Sequence, residues 1–140
     1  MQIKFVKTHP DAVIPRKAHA ADVGHDLVAV TKHQQRNCIR YGFGLAVDIP
    51  AGYAGLIFPR SSVFRTGMMM TNCVGVIDPG YTGEISALFW LEHEPSAKSY
   101  EVGDRVAQLV VVPVQEVEFV EVPELSQTER GANGYGSTGR

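Results

Sequence analysis

The sequence predicts an all-β protein, an antiparallel sandwich or barrel formed by one domain. Three observations carry the prediction. Short segments rich in β-branched and aromatic residues recur along the chain, turn chemistry separates them, and helix signals are almost absent. The length of 140 residues, 44% of them hydrophobic and 20% charged, is enough for one core and no more.

Taken in order, "IKFV" (Ile3–Val6), "DLVAV" (Asp26–Val30) and the long "NCIRYGFGLAVDI" (Asn37–Ile49) read as strands. "PAGY" turns the chain into "YAGLIF" (Tyr53–Phe58). "DPGYTG" (Asp78–Gly83) reads as a hairpin turn leading into "EISALFWL" (Glu84–Leu91), whose Phe89 and Trp90 are expected in the core. "VGDR" opens "RVAQLVVVPV" (Arg105–Val114). Its second half is apolar on both sides, so burial on both faces is expected, and with it contact with another subunit. "VEFVEV" (Val117–Val122) shows the clearest period-two alternation and is expected to be a strand. From "LSQTERG" onward the pattern is lost. The expected organisation is therefore a β-domain over residues 1–125 and a loose arm over 126–140.

Charge and composition exclude several classes. A formal charge of -2 and a pI near 6.2 give no global basic field, so stable nucleic-acid binding is not expected. The longest apolar runs fall far short of a membrane span and the polar N-terminus lacks a signal-peptide core, so a soluble cytoplasmic protein is expected. Cys38 and Cys73 are too few for a disulfide framework or a zinc knuckle, and both are expected as core thiols in a reducing compartment. His19, Asp22, His25 and Asp26 cluster in sequence but lack zinc spacing.

Candidate chemistry lies in five segments: "ADVGHDL" (Ala21–Leu27), "PRSSV" (Pro59–Val63), "GVIDPGYTGEI" (Gly75–Ile85), "GDRVAQL" (Gly103–Leu109) and "RGANGYGSTGR" (Arg130–Arg140). Glycines that let backbone amides approach a ligand recur beside charged and hydroxyl side chains suited to phosphate or a phosphate-bound metal. Each segment also has a plainer reading: a tight turn for "DPGYTG", a turn with an ion-pairing Arg105 for "GDR", a solvated loop for "PRSSV". Together the five point to a nucleotide site, one that uses neither common phosphate-binding loop.

In this order the five segments resemble the motifs of the trimeric dUTP diphosphatases (dUTPases), over nearly the whole chain from about Arg16 to Arg140. "RGANGYGSTGR" is the most specific match. The resemblance implies a β-clip, jelly-roll-like fold with a flexible Gly-rich C-terminal arm, and a homotrimer whose active sites each draw motifs from all three chains. It also implies hydrolysis of dUTP to dUMP and pyrophosphate with Mg²⁺, which limits uracil incorporation into DNA and supplies dUMP for thymidylate synthesis.

Residue by residue, the resemblance makes Asp78 the general base for the attacking water and Asp26 the acid that holds Mg²⁺ through water. Tyr81 packs on the deoxyribose and excludes a 2′-hydroxyl. Asn72 with the backbone of Gly75, Val76, Ile77 and Asp78 reads uracil. Arg60, Ser61 and Ser62 meet the phosphates and Gln108 lies near the α-phosphate. In the arm, Arg130, Ser137 and Thr138 grip the γ-phosphate, Tyr135 is a lid on the base, and Gly136 is a further substrate-binding position. His25, Ser62 and Tyr135 depart from the family's usual residues without removing a catalytic group. The dCTP deaminases share the fold, but the strand position that carries their catalytic glutamate holds Leu88 here, which moves no proton. A nucleotide-binding regulator is the remaining alternative.

Overall fold

The structure, a computed structural model, describes residues 1–91 and 97–134. Among the described residues nine strands form two antiparallel sheets, β1 (Lys4–Lys7), β2 (His25–Val28), β3 (Thr31–Gln35), β4 (Cys38–Asp48), β5 (Tyr53–Pro59), β6 (Met68–Met70), β7 (Gly75–Ile77), β8 (Glu84–Leu91) and β9 (Arg105–Pro113), with one short 3-10 helix at Ser61–Arg65. One sheet runs β1-β4-β8-β6 with β3 also paired to β4; the other runs β2-β9-β5-β7. The all-β prediction therefore holds.

The long strand β4 is buried without interruption from Tyr41 to Val47. Its register against β8 slips between Gly42 and Ala46. At the slip Gly44 takes φ +64, and a Cβ there would press to 2.6 Å from His9 Cβ and 2.8 Å from Val30 Cγ2, so only glycine fits. The Gly44 carbonyl accepts the Thr8 amide at 2.8 Å, tying the N-terminal segment to this bend. Leu27, Ile39, Phe43, Leu45, Ile57, Ile85, Phe89 and Val106 fill the space between the sheets.

Several expectations are corrected. "DPGYTG" is not a hairpin turn: β7 pairs with β5 and β8 with β4 and β6, so the turn carries the chain from one sheet to the other. "VEFVEV" is not a strand. It finds no pairing partner among the described residues and leaves Val117, Phe119, Val120 and Val122 exposed, Phe119 at 97%. Alternation shows what a segment can pair with and does not supply the partner. Along β9, Val106, Ala107 and Leu109 are buried, whereas Val110 to Val112 are only half-buried in the single chain. Phe89 is fully buried, but its neighbour Trp90 points outward and is 41% exposed, as strand alternation requires. Neither cysteine is a core thiol, since Cys38 is half-buried and Cys73 exposed in a left-handed turn.

Tyr41 sits at the heart of the aromatic core, edge-on to Phe89 at 5.9 Å and to Tyr100 at 6.3 Å. Its hydroxyl donates to the Tyr100 carbonyl at 3.0 Å. Burial pushes the phenol up to about 12 from its ordinary 10.0, because phenolate cannot be solvated there. The raised value means that the fold favours the protonated phenol. That contribution, on the order of 3 kcal/mol, is complete below about pH 10 and lost as pH rises toward 12. Thermal unfolding followed through this window is expected to show a fall in Tm, part of which Tyr41→Phe removes. Identical pH profiles for the two proteins would show that Tyr41 ionisation plays no part.

Candidate active site

Two open clefts hold most of the residues singled out in the sequence. The first forms where β2, β9 and the end of β5 meet. Pairing sets Asp26 opposite Gln108, and Gln108 opposite Phe58 on its other side. Arg60 follows β5 directly and Ser61 opens the 3-10 helix, so both project beside Asp26 and Gln108 into a cleft of about 290 Å³.

Asp26 is the electrostatic centre of this cleft. Its Oδ1 accepts from Arg60 Nε at 2.7 Å and its Oδ2 from Arg105 Nη1 at 3.0 Å, with the carboxylate side chain only 15% exposed. Arg60 Nη1 donates further to the Arg105 carbonyl at 3.4 Å. One carboxylate thus holds two guanidiniums, and the trio keeps a net positive charge suited to phosphate oxygens. Gln108 Nε2 donates to the Pro59 carbonyl at 3.1 Å. Ser62 faces elsewhere: its hydroxyl meets the Tyr100 hydroxyl at 3.2 Å and lies 3.5 Å from Arg60 Nη1, so it braces the arginine from behind.

The second cleft, about 270 Å³, is lined by Asn72, Gly75, Val76, Ile77, Asp78 and Tyr81 with Ile57, Glu84, Ile85 and Ser86. The turn that shapes it closes through the Tyr81 amide on the Asp78 carbonyl at 3.2 Å, and Gly80 at φ +83 supplies the left-handed position that this turn needs. Asp78 and Tyr81 are exposed at its mouth. The two clefts share no lining residue.

Arg130 lies on the exposed C-terminal segment, its Nε donating to the Asn133 carbonyl at 3.3 Å. Tyr135, Gly136, Ser137 and Thr138 lie outside the described residues. His25 points away from Asp26 into a separate apolar groove with Phe5 and Leu109, and no group of three potential metal ligands occurs among the described residues. Sequence reasoning gave Arg105 an ion pair without a partner; the structure pairs it with Asp26, 79 positions away, a contact that no local motif encodes. It also overlooked Tyr100 behind Ser62, and Gly24, which packs on Gln108.

A family model described as dUTPase matches residues 11–139. The chain belongs to the dUTPase family. A relative from Thermobifida fusca, called deoxyuridine 5'-triphosphate nucleotidohydrolase, is 40% identical over 144 residues, covering 99% of this chain and 79% of the relative. A protein of the same name from Nautilia profundicola is 40% identical over 145 residues and covers 100% of both chains. Among solved structures, the dUTPase of Staphylococcus bacteriophage 80alpha with dUPNHPP superposes at a TM-score of 0.84 with 29% identity over 99% of each chain. The jelly-roll-like architecture expected from the five motifs is thereby the architecture of this dUTPase-family enzyme.

Gly24 offers a sharp probe of the first cleft. A Cβ there would sit 2.1 Å from Gln108 Oε1, so the glutamine must swing off the Pro59 carbonyl. Gly24→Ala is expected to lower kcat/KM for dUTP by at least about tenfold with little change in Tm. Steady-state kinetics beside a melting curve check this, and unchanged kinetics would remove Gln108 from the working site.

Proposed function

We propose that the protein hydrolyses dUTP to dUMP and pyrophosphate as a homotrimer, with each active site assembled from clefts of different chains. The division of groups carries this reading. The candidate base Asp78 and the candidate nucleoside contacts Asn72 and Tyr81 share one cleft, whereas Asp26, Arg60, Ser61 and Gln108 share the other. Each cleft of a single chain therefore offers half a site. The half-buried Val110, Val111 and Val112 of β9 are apolar surface available for the interface that would join them.

In this reading the uracil edge, which presents acceptor, donor, acceptor, meets Asn72 and the main chain of Gly75 to Asp78. Cytosine presents a different order and is rejected because groups would be left unpaired. Tyr81 lies against the deoxyribose where a 2′-hydroxyl would stand. Arg60, Ser61 and Gln108 hold the phosphates, with Ser62 steadying Arg60. Asp78 accepts a proton from water as the water oxygen bonds to the α-phosphorus; the bridging oxygen between the α- and β-phosphorus atoms leaves with its electron pair as pyrophosphate. A carboxylate is a weak base, so orientation of the water contributes much of the rate. Arg130, Gly136, Ser137 and Thr138 grip the γ-phosphate and Tyr135 covers the base.

The residues present fit a metal carried by the nucleotide. Asp26 is a single carboxylate, with each oxygen engaged by one guanidinium and still holding a lone pair for a metal-bound water. That donor set suits Mg²⁺ held through its water shell, and it is too small for a protein cage. When bound, Mg²⁺ neutralises charge on the triphosphate.

Asp78→Asn is expected to reduce kcat by about 10²-fold or more, while a non-hydrolysable dUTP analogue still binds, because the amide accepts no proton. Near-normal kcat would remove Asp78 as the base. Product analysis is expected to give dUMP and pyrophosphate from dUTP and no ammonia from dCTP; ammonia at a comparable rate would overturn the reading. Removal of Gly131 onward is expected to leave Tm and assembly mass unchanged and to cut hydrolysis strongly. Loss of the assembly would make the arm structural.

A further inference from the structure

On its β8 side the Asp78–Tyr81 turn is followed by a residue whose role the reading above leaves open. Glu84 opens β8 directly after the turn. Its carboxylate reaches back to β4, where Oε1 accepts the Gly44 amide at 3.0 Å in a part-buried position. This is the amide that the register slip between Gly42 and Ala46 withdraws from the β4–β8 ladder. Gly42 leaves the room: a Cβ there would lie 2.5 Å from Glu84 Oε1. The main-chain oxygen of the same residue accepts the Tyr81 hydroxyl at 3.1 Å. Gly83 clears that side too, since a Cβ there would come 2.5 Å from the Tyr81 hydroxyl.

We propose that Glu84 is the positioning residue for Tyr81: its carboxylate fastens the start of β8 to the β4 bulge, and its carbonyl thereby fixes the tyrosine ring against the sugar. Glu84 itself lines the second cleft, and the role proposed for it acts through the position of Tyr81. The selectivity consequence rests on the reading of Tyr81 given above, because a ring that excludes a 2′-hydroxyl does so only while it is held. Without the carboxylate the Gly44 amide is left unpaired, and the start of β8 is free to shift.

Glu84→Ala is expected to lower the ratio of kcat/KM for dUTP over UTP by about tenfold, mostly through faster use of UTP. Glu84→Asp, which keeps the charge but falls short of the Gly44 amide, is expected to behave alike. Glu84→Gln retains an oxygen acceptor and is expected to restore most of the selectivity. Hydrogen exchange supplies a readout independent of turnover: Glu84→Asp is expected to speed exchange at the Gly44 amide and across residues 78–83 relative to Glu84→Gln. Equal exchange in those two variants, or wild-type selectivity in Glu84→Asp, would overturn the proposal. Failure of the wild-type protein to hydrolyse dUTP would instead overturn the functional reading, leaving the exchange experiment to decide the positioning role. If Glu84→Ala does not fold, the Asp and Gln variants still decide it.

Discussion

Strand β4 is the constraint on which the fold depends. From Tyr41 to Val47 this strand is buried at every position, and both of its edges are paired. β8 runs along one edge while β3 and then β1 share the other, and β5 and β9 close over the apolar face from the second sheet. The bend at Gly44 lets one strand serve both edge partners in turn, and the N-terminal segment is fastened there by the Thr8 amide. Of the strands that shape the clefts, β8 pairs with β4 directly, while β2, β9, β5 and β7 form the second sheet across the core.

Elements whose determinants are local were legible in the sequence. The apolar runs of β4, β5, β8 and β9 are long enough to announce strands, and the "DPGYTG" turn is where its proline and glycine put it. Elements defined by partners were not. β3, "TKHQQ", is polar because it is an edge strand, and β6 is three methionines too short to show a period. "VEFVEV" has the alternation without an edge to pair with, and "DPGYTG" looked like a hairpin because turn chemistry says nothing about which sheet the next strand joins. The same limit applies to the clefts. Asp26, Arg60 and Gln108 are named through the resemblance of their segments to the dUTPase motifs, but the grip of Arg105 on Asp26 exists only once β2 and β9 pair.

That grip has an energetic logic. A carboxylate largely withdrawn from water is costly unless paired, and two guanidiniums side by side repel unless something negative lies between them. Asp26 satisfies both conditions at once, so the two arginines stay fixed before any anion arrives. Little reorganisation would then be left for the moment at which an anion bound there.

Cys73 has a practical meaning of its own. It is exposed in a left-handed turn next to Asn72, whereas Cys38 is half-buried on β4. The difference in access gives the natural sequence an address for thiol chemistry, with maleimide reagents reaching Cys73 first. A fluorophore attached there would sit one residue from the wall of the second cleft, so occupancy could be followed optically, and in real time, without adding a cysteine anywhere.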